Sequence, residues 1–414
     1  MKRSLPGIIA LVLGGCSYPA ANSNNNNIVI GKIDSVYSRS LGEERKIWVY
    51  MPMGDNGPSA SGQRYPVVYL LDGDAHFSSM MGMIQQLSEI NGNTVCPDMI
   101  LVGIPNTDRM RDLTPTHAAP SFYVDSDAIK SAGGGEKFTS FIEKELMPHI
   151  DSLYPTAPYR MLIGHSLGGL MVINTLVHHP QLFNAYLAID PSMWWDNQKL
   201  LKQTDSALTR DRFDGKTLFL GVANTMPQGM DTAQVRKDTT GNTFHIRSIL
   251  SLAEALKKNK NNGLRWSYKY YDGDNHGSVP LISEYDALRF IFDYYNEPFA
   301  NKLSDSTMSA AAAVQTIKDH YKVISGHMGY NVLPPLQFIN GLGYAFLQRK
   351  MMEKAGAFFK LNIDNYPKNG DILDSMGDYY AAIGEKSRAI DYYTRALAIT
   401  NDPETKRKLE KIKK

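Results

Sequence analysis

Gly164-His165-Ser166-Leu167-Gly168-Gly169 lies between an apolar run at 159–163 and a helix-compatible stretch at 170–178. A strand that feeds a sharp turn with a helix leaving it is the setting of a nucleophile elbow, where a serine sits on strained backbone with its hydroxyl exposed. The flanking glycines let strand and helix pass close together. About 110 residues later, Asn275-His276-Gly277-Ser278 puts a histidine on a polar loop after a strand-like run at 264–271. Serine at its ordinary pKa is a poor nucleophile and needs a base, and imidazole suits that task near neutral pH. Ser166 is the expected nucleophile and His276 the expected base.

Serine first and histidine last is the chain order of an α/β-hydrolase. The rest of the pattern agrees. Residues 29–37 and 46–51 alternate like strands, and 52–65 reads as a hairpin loop rich in Gly, Pro and Ser. Apolar runs at 67–71 and 99–104 have the length of buried strands, and 159–163, 185–189, 217–222 and 266–271 continue the strand series. Helical stretches at 79–90, 137–153, 170–178, 243–258 and 284–295 alternate with them. The expected class is α/β: a mostly parallel sheet with helices on both faces, followed by a small all-α helical-repeat region.

An acyl-transfer site also needs donors for the oxyanion. The amide of Leu167, next after the nucleophile, is one; the amide of Asp74, in the turn after the third strand at Asp72-Gly73, is nominated as the other. The third member of a triad is less evident. Ala223-Asn224-Thr225-Met226-Pro227 follows the strand where an acid is expected, and it contains no carboxylate. Asp238 is nominated from the long loop that follows, with Asp231 and an acid-free Ser–His dyad left open; Asp272 and Asp274 precede the histidine itself. Arg111, in Arg109-Met110-Arg111-Asp112-Leu113-Thr114-Pro115, and Trp194-Trp195, in Pro191-Ser192-Met193-Trp194-Trp195-Asp196, follow strands at their carboxyl ends and are candidate substrate contacts. His178 and His179 are adjacent, and His117 and His149 isolated, so no metal site and no cofactor is expected.

After residue 298 the character changes. Leu342-Gly343, Phe346, Ala355 and Phe359 are matched 34 residues on by Met376-Gly377, Tyr380, Ala389 and Tyr393, a tetratricopeptide-like period. These repeats, at 334–414 after a connector at 299–333, are the expected seat of any protein partner. At the other end, Lys2-Arg3, a short apolar run and Leu13-Gly14-Gly15-Cys16 have the layout of a lipoprotein signal over 1–16, with Cys16 as the lipidation site and 17–27 as a flexible tether. The expected address is the bacterial cell envelope, outer membrane or periplasmic face, with the membrane touched only through the lipid anchor. The 414 residues, 43% of them hydrophobic, leave room for one large core at 28–298 plus something smaller, and the net charge of +2 argues against nucleic acid as a partner. Cys96 is then without a disulfide partner.

Glu44-Arg45-Lys46-Ile47-Trp48-Val49-Tyr50-Met51-Pro52, Tyr65-Pro66-Val67-Val68-Tyr69-Leu70-Leu71-Asp72-Gly73, Arg111 to Pro115, Gly164 to Gly169, Pro191 to Trp195 and Asp274 to Ser278 together resemble an esterase family of α/β-hydrolases. It includes esterase D-like enzymes, feruloyl esterases, mycolyltransferases and siderophore (enterobactin and salmochelin) esterases. The likeness spans residues 29–297. It implies a serine carboxylic ester hydrolase working through an acyl-enzyme, with Ser166, His276 and the Leu167 and Asp74 amides in the roles given above. The implied substrates are a carbohydrate-linked acyl or hydroxycinnamoyl ester, or a siderophore ester. Many members carry an acid where this chain has Asn224, and siderophore esterases of this type tolerate its loss. The alternatives are an acyltransferase, or a catalytically degenerate lipoprotein that scaffolds through its repeats.

Overall fold

The structure, a computed structural model, describes residues 27–52, 63–88, 90, 93–120, 122–127, 129–296, 299–303, 305 and 307–414. The signal with Cys16, nearly all of the tether and residues 53–62 of the expected hairpin loop lie outside the described residues. The chain divides into an α/β unit, residues 30–299 with 322–332, and a helical unit formed chiefly by 300–321 and 333–414.

The α/β unit is built on eight strands: β1 (Lys32–Ser38), β2 (Glu43–Tyr50), β3 (Tyr65–Leu71), β4 (Ile100–Ile104), β5 (Thr156–His165), β6 (Ala185–Ile189), β7 (Thr217–Ala223) and β8 (Arg265–Tyr271). They form one sheet in the order β1-β2-β4-β3-β5-β6-β7-β8. Only the β1–β2 and β2–β4 pairings are antiparallel. Every residue of β3, β4 and β6 is buried. That is why these segments read as continuous apolar runs and not as alternating ones: a strand covered on both faces has no solvent side.

Among the described residues, nine α-helices accompany the sheet up to residue 291: α1 (Gly73–Ser88), α2 (Arg109–Asp112), α3 (Gly135–Phe141), α4 (Met147–Leu153), α5 (Leu167–His178), α6 (Trp195–Arg210), α7 (Thr232–Lys237), α8 (Phe244–Lys258) and α9 (Val279–Ile291). A π-helical turn, Ile142–Leu146, joins α3 to α4, so the expected helix over 137–153 is one continuous rod with a wider turn in it. The crossover from β3 to β4 runs one way along the sheet, and those from β5 through β8 run the other. Right-handed crossovers therefore put α1 on one face and α5, α6 and α8 on the opposite one. Accordingly α9 packs with α1, while α5 packs on α6 and α6 on α8. The core between these layers includes Tyr69, Leu162, Tyr186, Leu220, Ile246 and Ile249. Full burial of each such aliphatic side chain contributes about 1.5–3 kcal/mol.

Next come α10 (Phe299–Leu303) and α11 (Ala310–Met328). The helical unit then continues as α12 (Leu336–Gln348), α13 (Met352–Asn365), α14 (Gly370–Ala382), α15 (Lys386–Ile399) and α16 (Pro403–Lys413). One contact occurs twice in it at the spacing of the sequence period. Gly343 faces the ring of Phe359, and Gly377 faces the ring of Tyr393, so close that a Cβ on either glycine would lie 2.6 Å or 2.5 Å from a ring carbon. Small residues there let paired helices approach until the aromatic ring fills the space between them.

Candidate active site

β5 ends at His165 and α5 begins at Leu167, which leaves Ser166 alone on the turn with φ 59° and ψ −115°. An L-residue holds that backbone only when its surroundings over-determine it. Here the surroundings are hydrogen bonds. The Ser166 amide donates to the Ile189 carbonyl at 3.0 Å, and the Ser166 carbonyl accepts from the amides of Leu170 at 2.9 Å and Ser192 at 3.0 Å. A Cβ on Gly164 would lie 2.4 Å from the Gly168 carbonyl, so the close strand–helix passage requires glycine there, and one on Gly169 would lie a tight 3.0 Å from the Ile189 oxygen. The Ser166 hydroxyl lies 3.3 Å from the Ser192 hydroxyl.

His276 occupies the loop between β8 and α9. Asn275 fixes that loop: its side-chain oxygen accepts from the amides of Gly277 at 2.9 Å and Ser278 at 3.1 Å. The His276 ring stands 4.4 Å, centroid to centroid, from the ring of His165, the residue before the serine. Its Nδ1 donates to Oδ2 of Asp190 at 2.6 Å. Asp190 follows β6 directly and is fully buried. Burial alone would raise its carboxyl, but the hydrogen bonds from His245 and His276 outweigh it and hold the carboxyl well below the usual carboxylate range. An ionised Asp190 fixes the proton of His276 on Nδ1 and leaves Nε2 as the basic nitrogen. Asp190, His245 and His276 bring one carboxylate oxygen and two ring nitrogens within 4.8 Å of each other; in this arrangement both imidazoles spend an N–H on the carboxylate.

The carboxylate on His276 is thus Asp190 and not Asp238. Asp238 lies at the C-terminal end of α7, half-buried, with its carboxylate accepting from the Thr240 hydroxyl at 2.6 Å and from that of Thr243. Asp231 caps the other end of the same helix in a capping box with Gln234. Asn224, at the position where an acid was sought, performs a different task. Its amide nitrogen donates to the Asp272 carbonyl at 3.0 Å and its backbone N–H to the Asp274 carbonyl at 2.7 Å, which ties down the loop carrying His276. The signal that would have found Asp190 is the carboxylate at the end of the buried run 185–189, one strand from the serine.

The two nominated oxyanion donors both sit in first turns of helices. The first intrahelical bond of α5 is from Leu170 to Ser166, and those of α1 run from Ala75 and His76 to Asp72. The amides of Leu167 and Asp74 precede those bonds and so belong to the unpaired N–H groups of a helix start, at the positive end of its dipole. Asp72, buried with φ 51°, accepts from Arg109 at 2.6 and 2.9 Å and from Asn106 at 2.7 Å. Arg109 also donates to the His165 carbonyl at 3.4 Å, so the two turns are held in one network. His165 is neutral in this setting: burial, with His276 and His76 nearby, pushes it down to about 4.

The three residues nominated as substrate contacts each have partners within the protein. Arg111 donates to Glu43 at 2.6 and 3.0 Å and to Asp112 at 2.7 Å. The same two carboxylates receive Arg45, which is 1% exposed and lies over the rings of Phe138 and Phe141. Trp195 is buried, with its Nε1 donating to the Thr116 carbonyl at 3.0 Å, and Trp194 is buried against Tyr123 at 4.8 Å. Both indoles are therefore engaged by the segment after α2, through Thr116 and Tyr123. Arg111→Ala is expected to lower the unfolding free energy by about 1–3 kcal/mol while KM for a small ester stays within about twofold; denaturant melts and kinetics on the same preparations check this.

An elbow serine, a histidine with a buried aspartate behind it, and a sheet of this strand order define a serine hydrolase of the α/β-hydrolase fold. The family model described as "Putative esterase" matches residues 38–278, and the chain belongs to that family. The ferri-bacillibactin esterase BesA of Bacillus subtilis is 28% identical over 262 residues, which cover 61% of this chain and 86% of that protein. The siderophore enterobactin esterase of Emericella nidulans is 32% identical over 156 residues, covering 35% and 52% respectively. The crystal structure of an IroE-like serine hydrolase from Shewanella oneidensis matches with a TM-score of 0.66 and 33% identity, covering 80% of this chain and 98% of that one. The chain is a carboxylic ester hydrolase.

Proposed function

We propose that this chain hydrolyses the ester bonds of a siderophore through an acyl-enzyme on Ser166, with His276 as general base and Asp190 as the carboxylate that orients it. The observation that carries the reading is the 2.6 Å bond from His276 Nδ1 to buried Asp190, which leaves the opposite ring nitrogen free to take a proton. Ser166 Oγ attacks the ester carbonyl and its proton passes to His276 Nε2. The carbonyl oxygen becomes an oxyanion that the Leu167 and Asp74 amides can receive. On collapse the ester C–O bond breaks and the leaving alkoxide takes the proton from His276. Water then attacks the acyl group by the same route, and Ser166 is released. The siderophore assignment rests on the substrates named for the two curated relatives.

The test is hydrolysis of p-nitrophenyl butyrate, methyl ferulate and a cyclic catecholate triester, with and without iron, by wild type and Ser166→Ala. Ser166→Ala is expected to lose about 10⁴-fold or more in kcat. Serine-dependent opening of the triester without turnover of methyl ferulate supports the proposal. Turnover of methyl ferulate in preference to the triester moves the substrate to hydroxycinnamoyl esters, and acyl transfer to an added alcohol in place of hydrolysis makes the chain an acyltransferase. Undiminished activity in Ser166→Ala overturns the serine mechanism.

A further inference from the structure

Asp190 serves two histidines. Its Oδ2, which accepts from His276, also accepts from Nε2 of His245 at 2.8 Å, and its Oδ1 accepts from the Ala223 amide at 2.9 Å. Three donors from three separate elements therefore surround one buried carboxylate: the end of β7, the first turn of α8, and the loop after β8. His245 is itself held. Its side chain is 11% exposed, its backbone N–H donates to the Tyr123 hydroxyl at 3.1 Å, and that hydroxyl donates to the Gly241 carbonyl at 2.7 Å. Its ring meets the His276 ring edge to face at 5.2 Å. To donate from Nε2, the His245 ring must carry its proton there, just as His276 must carry one on Nδ1.

We infer that His245 is a positioning residue for the hydrolytic reaction: by donating to the oxygen of Asp190 that His276 uses, it fixes the direction in which that oxygen points and so the orientation of the base. The inference rests on the triad reading above. A carboxylate bound by His276 and Ala223 alone has one hydrogen bond on each oxygen and keeps some torsional freedom about its Cβ–Cγ bond, because nothing on the α8 side then holds Oδ2. His245 removes that freedom before substrate arrives, which is the advantage of a preorganised site. It touches neither the serine nor the carbonyl under attack, so its loss should appear in the chemical step and not in substrate binding.

The test compares His245→Phe, which fills the space without a donor, with His245→Gln, whose side-chain amide N–H lies near the position of Nε2. In the full chain, His245→Phe is expected to lower kcat by about ten- to a hundredfold with KM within about twofold, and His245→Gln to recover most of that loss. In an Asp190→Asn background His245→Phe should cost nothing more, because the carboxylate it aligns is gone. The downfield proton resonance of the His276–Asp190 bond should shift or broaden in His245→Phe and return in His245→Gln. Unchanged kcat and an unchanged resonance in a folded His245→Phe overturn the inference. Equal losses in the Phe and Gln variants, with KM rising, also overturn it and make His245 a packing residue. Failure of the triad itself looks different: Asp190→Asn and His276→Ala would then retain activity, whatever His245 does.

Discussion

Asp190→Asn should cut kcat on an activated ester at about pH 7 by about 10³- to 10⁴-fold, while Asp238→Asn changes it by no more than about twofold. An asparagine at this position keeps the shape but presents one amide N–H₂ and one carbonyl oxygen where two imidazole N–H groups now converge on a single carboxylate oxygen. It loses the negative charge that, in the proposed mechanism, stabilises the imidazolium formed when His276 takes the proton of Ser166. It also permits the proton of neutral His276 to move to Nε2, the nitrogen that the proposed mechanism needs free to accept a proton. Asp238 has no such coupling, since its carboxylate is satisfied by two threonine hydroxyls at the end of α7. Steady-state kinetics on the two variants decide between them. A large loss in Asp238→Asn with Asp190→Asn near wild type would return the acid to the loop after β7.

The second large effect concerns stability. Glu284 lies on α9 and is 1% exposed, and neither carboxylate oxygen has a hydrogen-bond partner. Burial without compensation pushes its carboxyl up to about 8 from an ordinary 4.5. Between those values the unfolded chain releases the proton and the folded chain retains it, so unfolding is increasingly favoured as pH rises. Below about pH 4.5 both states are protonated, above about pH 8 both are ionised, and the difference is constant outside the interval. Wild type should lose on the order of 3 kcal/mol of unfolding free energy between about pH 5 and about pH 8 that Glu284→Gln does not lose. Urea unfolding of both proteins at the two pH values measures this. Parallel pH dependence in wild type and variant would mean that Glu284 finds a partner in solution.

Much of this was legible in the chain, and the remainder was hidden for identifiable reasons. The run 185–189 coincides with β6, and 217–222 falls one residue short of β7, because a strand buried on both faces writes itself as unbroken hydrophobicity. Ser166 and His276 were marked by their glycines, turns and chain order. Asp190 was not, because its function depends on a register between strands: Ile189 pairs with His165, and nothing in either segment read alone states that. The segment after β7, where an acid is expected, lies one strand further from β5 than Asp190 does. The ion pairs of Arg111 are hidden for a related reason. Its position after a strand suggested a cleft, but its charge is cancelled by Glu43, which lies far away in sequence on β2. The long helix α6 also escaped notice, since its start falls in the tryptophan segment and its residues Asp196, Asn197 and Gln198 have positive φ.

The placement of Asp190 has a consequence for how such a protein can diversify. Ser166 and Asp190 sit at the tips of neighbouring strands and are joined by the backbone bond from Ser166 to Ile189. The segment 226–240 is therefore relieved of the carboxylate that its position after β7 would otherwise oblige it to supply. Its largely exposed part, 228–234, bears none of the residues of the proposed proton-transfer chain, whereas Val235 is buried and Asp238 holds the start of α8. In directed evolution for a new acyl group, that stretch is the place to insert variation first.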